Sequence, residues 1–437
     1  MLIDSAGEPV APAWLWLDAR ASSLVEEMRA SELGRNHYAV TGCGLAACQQ
    51  GAQLAWMQQH TPEVLERATN AFHCKDWLYF KLTGVRATDP SEALFTFGDY
   101  RTRDYSDDVI HGLGLTNRRG LIVPIVDRTL QQHVLTQGAA SATGLLPGTP
   151  IALGFVDIVC TALGSGLYDP SISSGCTIIG STGMHIRMVG NASGVIRNDR
   201  MTGYTMAWPI VGQFAQVQSN MASTLNIDWL LDMMRGAVRN GGVELSREEL
   251  LRSQQDRIAK SAPAQLIYHP YILEAGERGP ILDSAARASF IGLDEYHTYA
   301  DMMRAVLEGI AYSARDCYAA MGPTPSEVRL SGGASRNPTL RRIMAAVLGA
   351  NVRTITRMEA GAAGAAMIGA VGAGHYRTMA DCAADWVVPF LDPVEQADPD
   401  LVVTYNSMFP AYLSSRQALT PIWRQLASGR SRAPPVS

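Results

Sequence analysis

The run VRLSGGASRNP at residues 328–338 decides the fold class. Val328 to Ser331 read as a short strand, Gly332-Gly333-Ala334-Ser335 as a turn and Pro338 to Leu348 as a helix, with a second strand over Val352 to Ile355. That order is a βαβ-like unit, and it points to an α/β architecture with parallel strands. The turn from Ser331 to Asn337 lies at a helix N-terminus, where unpaired N–H groups and the helix dipole favour anions. Glycines there permit a close backbone approach to a ligand, and they serve a plain strand-to-helix turn equally well.

Working outward, the spacing predicts a long amphipathic helix from Tyr299 to Ala320, a polar segment around Glu248 to Lys260 and a helix from Thr224 to Arg239. Thr177 to Ile179 and His185 to Val189 flank Gly180-Ser181-Thr182-Gly183 as a hairpin would. Its backbone N–H groups and hydroxyls can line a phosphate, and tight turns that bind nothing look the same. Pro150 to Val156 reads as a β-rich run that delivers Asp157 at its end, ahead of a helix with the small-residue run Thr161 to Gly166. Strand ends in α/β folds are where catalytic side chains emerge, and an aspartate there can equally be a helix N-cap. The first third is expected to be mostly helical after an opening strand and a turn at Gly7-Glu8-Pro9, with helices over Ala21 to Ala30 and Gln49 to Gln59 and a third starting at Thr61-Pro62-Glu63. Ile122-Val123-Pro124 reads as a short strand.

With 437 residues the chain should form two or three domains. Lys+Arg 36 against Asp+Glu 41, with no block of either sign, argues against nucleic acid as a partner. Seven scattered cysteines without a C-x-x-C pair suit neither a disulfide framework nor a zinc site, so a reduced, cytoplasmic compartment is expected. The opening MLIDSAGEPVAP lacks a basic-then-apolar pattern, so no signal peptide is expected. The Gly/Ala-rich stretch from Ala360 to Gly374 falls short of the ~20 apolar residues that span a bilayer, so no membrane partner is expected. No Walker A motif, dinucleotide fingerprint, G-x-S-x-G or H-E-x-x-H occurs. The metal ligands stay unassigned.

The ordered set of motifs resembles the FGGY carbohydrate kinases. It runs through AWLWLDAR (13–20), KDWLYFKLTG (75–84), ATDPSEA (87–93), GTPIALGFVD (148–157), IIGSTGMH (178–185), ERGPILD (277–283), RAVLEGIAYSARD (304–316), LSGGASRNP (330–338) and EAGAAGAAMIGAVGAG (359–374). The resemblance implies an α/β fold with two actin-like (ribonuclease H-like) domains flanking a nucleotide cleft, over 1–168 on the substrate side and 169–425 on the nucleotide side. A disordered tail is expected over 426–437. It also implies an ATP- and Mg2+-dependent phosphotransferase. Asp157 matches the aspartate that takes the proton from the sugar hydroxyl. Gly180, Ser181, Thr182 and Gly183 match a phosphate loop, and Gly332, Gly333, Ala334 and Asn337 match the turn that contacts the adenine nucleotide. The helix from Pro338 and the Gly/Ala run after Glu359 would wall the nucleotide cleft or serve as plain packing helices.

Within the family the likeness is greatest to the erythritol-specific members, in TGCGLAACQQG, FHCKDWLYFKLTG, TDPSEALFTFGDY and GFVDIVCTALGSGLYD. Ile158 stands where glycerol-specific members carry glutamine, and Cys48 about where they place a substrate-contacting tyrosine, which argues against glycerol. Asp18, Gln49, Gln50, Lys75 and Asp76 are the candidate hydroxyl partners of a small polyol, and each can equally be a solvated or capping residue. A pentulose or another sugar is the alternative substrate, and a homodimer is kept as an expectation for the assembly. The family's first phosphate loop, Asp-x-Gly-Thr, is not found, and the pattern is met only after roughly its first 70–80 residues, on usual domain size. A truncated first domain is therefore expected, with exposed sheet edges and at most trace turnover, and a noncatalytic nucleotide- or polyol-binding protein is the rival reading.

Overall fold

A computed structural model describes residues 1–16, 18–126, 133–168 and 173–429. The chain forms two compact units that interleave in sequence. Unit 1 takes Met1–Ile172, Met188–Val217 and Glu359–Phe390, and unit 2 takes Ser173–Arg187, Gln218–Met358 and Leu391–Ser437. These units and the linear halves 1–168 and 169–425 are different partitions of the chain. The expected change of character at Asp169-Pro170 lies outside the described residues, as does 430–437. Leu426–Gly429 do not begin a tail; they close the helix Pro399–Gly429.

The helices that frame the candidate sites are α1 (Cys74–Thr83), α2 (Pro90–Thr96), α3 (Asp157–Gly164), α4 (Thr224–Asn240), α5 (Tyr299–Met321), α6 (Pro338–Leu348) and α7 (Ala360–Gly372). Six strands, β1 (Ser174–Ile179), β2 (Gly183–Val189), β3 (Tyr204–Ala207), β4 (Phe214–Asn220), β5 (Glu327–Ser331) and β6 (Asn351–Thr354), lie in one sheet in the order β6-β5-β1-β2-β4-β3. β5 runs parallel to both β6 and β1, whereas β1 and β2 form the antiparallel hairpin read from the sequence. Strands β2 and β4 each have residues in both units.

In unit 2 the sheet is covered by α5 and α6. Helix α5 begins with a capping box in which the Thr298 N–H and hydroxyl both donate to Asp301 Oδ2, at 2.8 and 2.7 Å. It buries Val306, Ile310 and Ala314 in one cluster with Leu330, Ile343 and Val352, and each large side chain removed from water contributes roughly 1.5–3 kcal/mol. The polar stretch Arg247–Lys260 is itself a helix, started by a Ser246/Glu249 capping box, with Leu250 and Ile258 as its buried residues.

In unit 1 the expected strand over Pro150 to Val156 is confined to Pro150–Ile151, paired with His133–Val134, and Ile122 makes an isolated bridge to Ala71 rather than a strand. The rest of the run up to Asp157 is irregular backbone. Helix α3 is held against α7 through glycines. A Cβ on Gly164 would collide with the carbonyl of Ala360, and one on Gly364 would collide with that of Cys160. The small-residue run after Glu359 is thus what lets α7 lie on the helix that starts with Asp157.

Replacing Gly364 with valine should cost about 1–3 kcal/mol or more, because backbone rather than a movable side chain is met. Gly369→Ala, on the same helix but with nothing within 4 Å of its added Cβ, should be neutral or stabilise by about 0.5–1 kcal/mol. Paired urea titrations check the contrast.

Candidate active site

Asp157 is the first residue of α3, and it is exposed. Its Oδ1 accepts the N–H of Ile158 at 2.8 Å. The cap position is Val156, which makes no side-chain cap bond, so Asp157 stands one residue inside the helix with its carboxylate at the positive end of the helix dipole.

Behind it lies a buried ionic frame built from α1, α2 and the turn before α2. Asp89 is the N-cap of α2 and accepts the Ser91 N–H at 2.7 Å. The Ser91 hydroxyl donates to the same Asp89 oxygen and accepts the Val156 N–H at 3.0 Å. Lys75 lies 2.5 Å from Asp89 Oδ2 and 2.5 Å from Asp76 Oδ1. Asp76, fully buried, also accepts from Thr88 Oγ1 at 2.7 Å and contacts His73 Nδ1 at 3.2 Å. Burial alone would raise its pKa, but the Lys75 ammonium and His73 outweigh that and hold the carboxyl at about 2. Burial likewise opposes the charge on Lys75, yet Asp89 and Asp76 push its pKa upward. Lys75 and Asp76 are therefore committed to one another and to Asp89.

The remaining candidate hydroxyl partners in unit 1 are placed differently. Gln49 is completely buried, donating to the carbonyls of Gly44 and Phe95 at 3.2 and 2.9 Å and accepting the Ala46 N–H at 2.9 Å. Asp18 grips Arg20 through both oxygens, at 2.6 to 3.1 Å, and the guanidinium lies over Trp14, 3.6 Å from the ring centroid. Gln50 begins the helix Gln50–His60, half-buried, and lines a small hollow with Pro12 and Trp14. Ser91 and Asp89 were not singled out from the sequence. Asp89-Pro90-Ser91-Glu92, an N-cap, a proline at N1 and a glutamate at N3, was the signal for them.

In unit 2, Gly180 to Gly183 form the turn between β1 and β2, with Ser181 exposed and Thr182 half-buried. The start of α4 is fastened to it, since the Ser223 N–H donates to Ser181 O at 2.8 Å and the Thr224 N–H to Gly180 O at 3.0 Å. Beneath the turn runs a neutral network. Asn220 Nδ2 donates to Gly279 O at 2.6 Å, so its Oδ1 is the acceptor for His185 Nε2–H at 2.8 Å, and His185 Nδ1 faces Thr177 Oγ1 at 3.2 Å. Burial pulls the His185 pKa down to about 4, in keeping with a neutral ring. Glu277 Oε1 accepts the N–H groups of Arg278, Met221 and Gly279 at 2.8, 2.9 and 3.3 Å. Its burial raises the carboxyl to about 7.

The second turn has two glycines with different duties. Gly332 has φ +90°, and a Cβ there would strike the backbone of Ile179; Gly333 has nothing within 4 Å of its would-be Cβ. Gly332 is thus fixed by conformation and contact, whereas Gly333 opens onto free space. Half-buried Ala334 sits in the short 3-10 turn Gly333–Arg336. Asn337 caps α6, its Oδ1 taking the N–H groups of Thr339 and Leu340 at 2.9 and 3.1 Å, and among the described residues its Nδ2 has no partner. Next to it is a groove of about 490 Å³, with Asp256, Lys260, Arg304, Pro338, Thr339 and Arg342 in its wall. No group of three or more His, Cys, Asp or Glu able to hold a metal occurs among the described residues, and none of their helices is long and apolar enough to cross a membrane.

Two glycine turns and an exposed carboxylate at a helix start invite comparison with known proteins. Residues 1–164 match the N-terminal domain, and residues 178–373 the C-terminal domain, of the FGGY family of carbohydrate kinases. The chain belongs to this family. It is 48% identical over 429 residues to the erythritol kinase of Brucella abortus (strain 2308), covering 98% of this chain and 82% of that one. It is 27% identical to the xylulose kinase of Staphylococcus xylosus, covering 89% and 77%. The structure of xylulose kinase from Rhodospirillum rubrum superposes with a TM-score of 0.84 at 26% identity, over 97% of this chain and 83% of that one. A gluconate kinase from Lactobacillus acidophilus shares the fold, with a TM-score of 0.85 at 20% identity over 97% and 83%. The chain is a carbohydrate kinase of two-domain, actin-like α/β fold, a phosphotransferase that uses ATP and takes a sugar or polyol as acceptor.

Glu277→Gln keeps an acceptor for the three backbone amides and removes the charge. The native carboxyl titrates near 7 and an ordinary glutamate near 4.5. The wild type therefore loses stability as pH rises from about 4.5 to about 7, and the loss is constant above. The stability difference between variant and wild type should grow across that window by on the order of a few kcal/mol. Urea denaturation at several pH values reads it; a pH-independent difference contradicts the assignment.

Proposed function

We propose that this kinase phosphorylates a terminal hydroxyl of a small linear polyol, erythritol, with MgATP as donor. The observation that carries the chemistry is the exposed Asp157 carboxylate at the start of α3, backed by a rigid buried frame. Phosphoryl transfer passes through a loose transition state, so it needs positioned groups, charge neutralisation and one acceptor for the nucleophile's proton. Asp157 is that acceptor. The backbone of Gly180 to Gly183 and the hydroxyls of Ser181 and Thr182 serve the phosphates. Gly333 lets the nucleotide approach the turn, and Asn337 offers Nδ2 to it, with the groove beside α6 for the base. Mg2+ enters this reading as the ion of MgATP, and no step is assigned to it.

Erythritol is favoured by the 48% identity to an erythritol kinase across nearly the whole chain, and by half-buried, apolar Ile158 next to the base. A pentulose is the second reading, supported by the xylulose kinases among the relatives. A coupled assay over tetritols, pentitols and ketoses separates the two, and the erythritol reading fails if a ketose is turned over with the higher kcat/KM.

Asp157→Asn should cut turnover by about 10²–10⁴-fold with ADP affinity nearly intact; near-full turnover would remove Asp157 from this role. Gly333→Val should abolish measurable ADP binding in calorimetry while the fold, read by circular dichroism, is preserved. Unchanged affinity would move the nucleotide away from this turn.

A further inference from the structure

The buried frame in unit 1 does more than stabilise the fold. Ser91 is almost wholly buried, and its hydroxyl is used in both directions, as a donor to Asp89 and as an acceptor for the Val156 N–H. Val156 is the residue through which the chain turns into α3, at φ −57° and ψ 148°, and Asp157 follows it. The stretch before it is irregular, with Pro150–Ile151 as its strand, so no sheet ladder fixes the peptide at Val156. That duty falls to a side chain. Asp89 is in turn anchored by its cap on α2 and by Lys75, which also pairs with Asp76, itself held by Thr88.

We infer that Ser91 is a positioning residue for Asp157, locking the Val156 peptide so that the carboxylate meets the acceptor hydroxyl in one orientation, with Asp89 and Lys75 locking Ser91. The inference rests on Asp157 being the proton acceptor. A serine hydroxyl suits the task because it is small enough for full burial and can donate and accept at once. Alanine removes both bonds, leaving the Val156 N–H without its partner and Asp89 with one donor fewer. An orientational error of the order of 1 Å at a reacting group costs about 10²-fold in rate.

The test is a double-mutant cycle of Ser91→Ala and Asp157→Asn in the whole chain, with steady-state kinetics on erythritol, calorimetric ADP affinity and thermal melting. Ser91→Ala should lower kcat by about 10²-fold, leave the ADP affinity within about twofold, and have little further effect in a chain that already carries Asp157→Asn, because it acts through that carboxylate. Ser91→Thr, which keeps the hydroxyl, should recover most of the lost turnover. Full turnover in Ser91→Ala overturns the inference. So does an equal loss from Ser91→Ala in the wild-type and Asp157→Asn backgrounds, or a loss that follows the melting temperature. If Asp157→Asn alone keeps near-full turnover, the general-base reading has failed, and that result is distinct from failure of the Ser91 link.

Discussion

The Lys75 ammonium between the carboxylates of Asp76 and Asp89 is the interaction on which the candidate base depends. Removing charges from water costs several kcal/mol per ion, and the cost is met only when each charge is paired and its remaining lone pairs are bonded. Here Thr88 and His73 complete Asp76, while the hydroxyl and N–H of Ser91 complete Asp89. The arrangement ties α1 to the start of α2 and, through Ser91, to the chain just before Asp157. An ionic frame of this kind is a poor source of net stability; what it fixes here is the course of the chain just before Asp157.

Unit 2 supports its first turn with uncharged side chains and one buried carboxyl. The turn at Gly180 to Gly183 stands on Asn220, His185, Thr177 and a carboxyl whose burial favours its neutral form, Glu277. The raised pKa of Glu277, about 7, reflects the cost of placing a negative charge in the buried network beneath this turn. The close approach of Gly332 to Ile179 brings the second turn beside the end of β1. Gly333 is left with open space above it, so of the two adjacent glycines Gly332 is the one held by a structural contact.

Some of this was legible in the sequence. The helix Pro338–Leu348 has the bounds read from the sequence, and its ends carry local signals, with Asn337 as N-cap, Pro338 at N1 and Gly349 after it at φ +61°. The helix Arg247–Lys260 was read only as a polar segment, since Leu250 and Ile258 are too thin an apolar stripe to show the period. The β-rich run before Asp157 is a strand only at Pro150–Ile151, and at its end the Val156 N–H is bonded to Ser91, 65 residues away in sequence, rather than to a neighbouring strand. Gln49, Lys75 and Asp76 looked like groups a polyol could use, and folding turned each of them inward.

The sequence by itself determined the family, the hairpin that carries one glycine turn, the strand-turn-helix unit that carries the other, and the position of Asp157 at the start of a helix. These depend on backbone propensity and turn chemistry, which act over a few residues. Only the tertiary structure decided which charges pair, which of two neighbouring glycines faces open space, and that α7 packs on α3. Those outcomes depend on distance and burial between groups remote in the chain, and a carboxylate or an ammonium looks the same in a sequence whether water or an opposite charge will surround it.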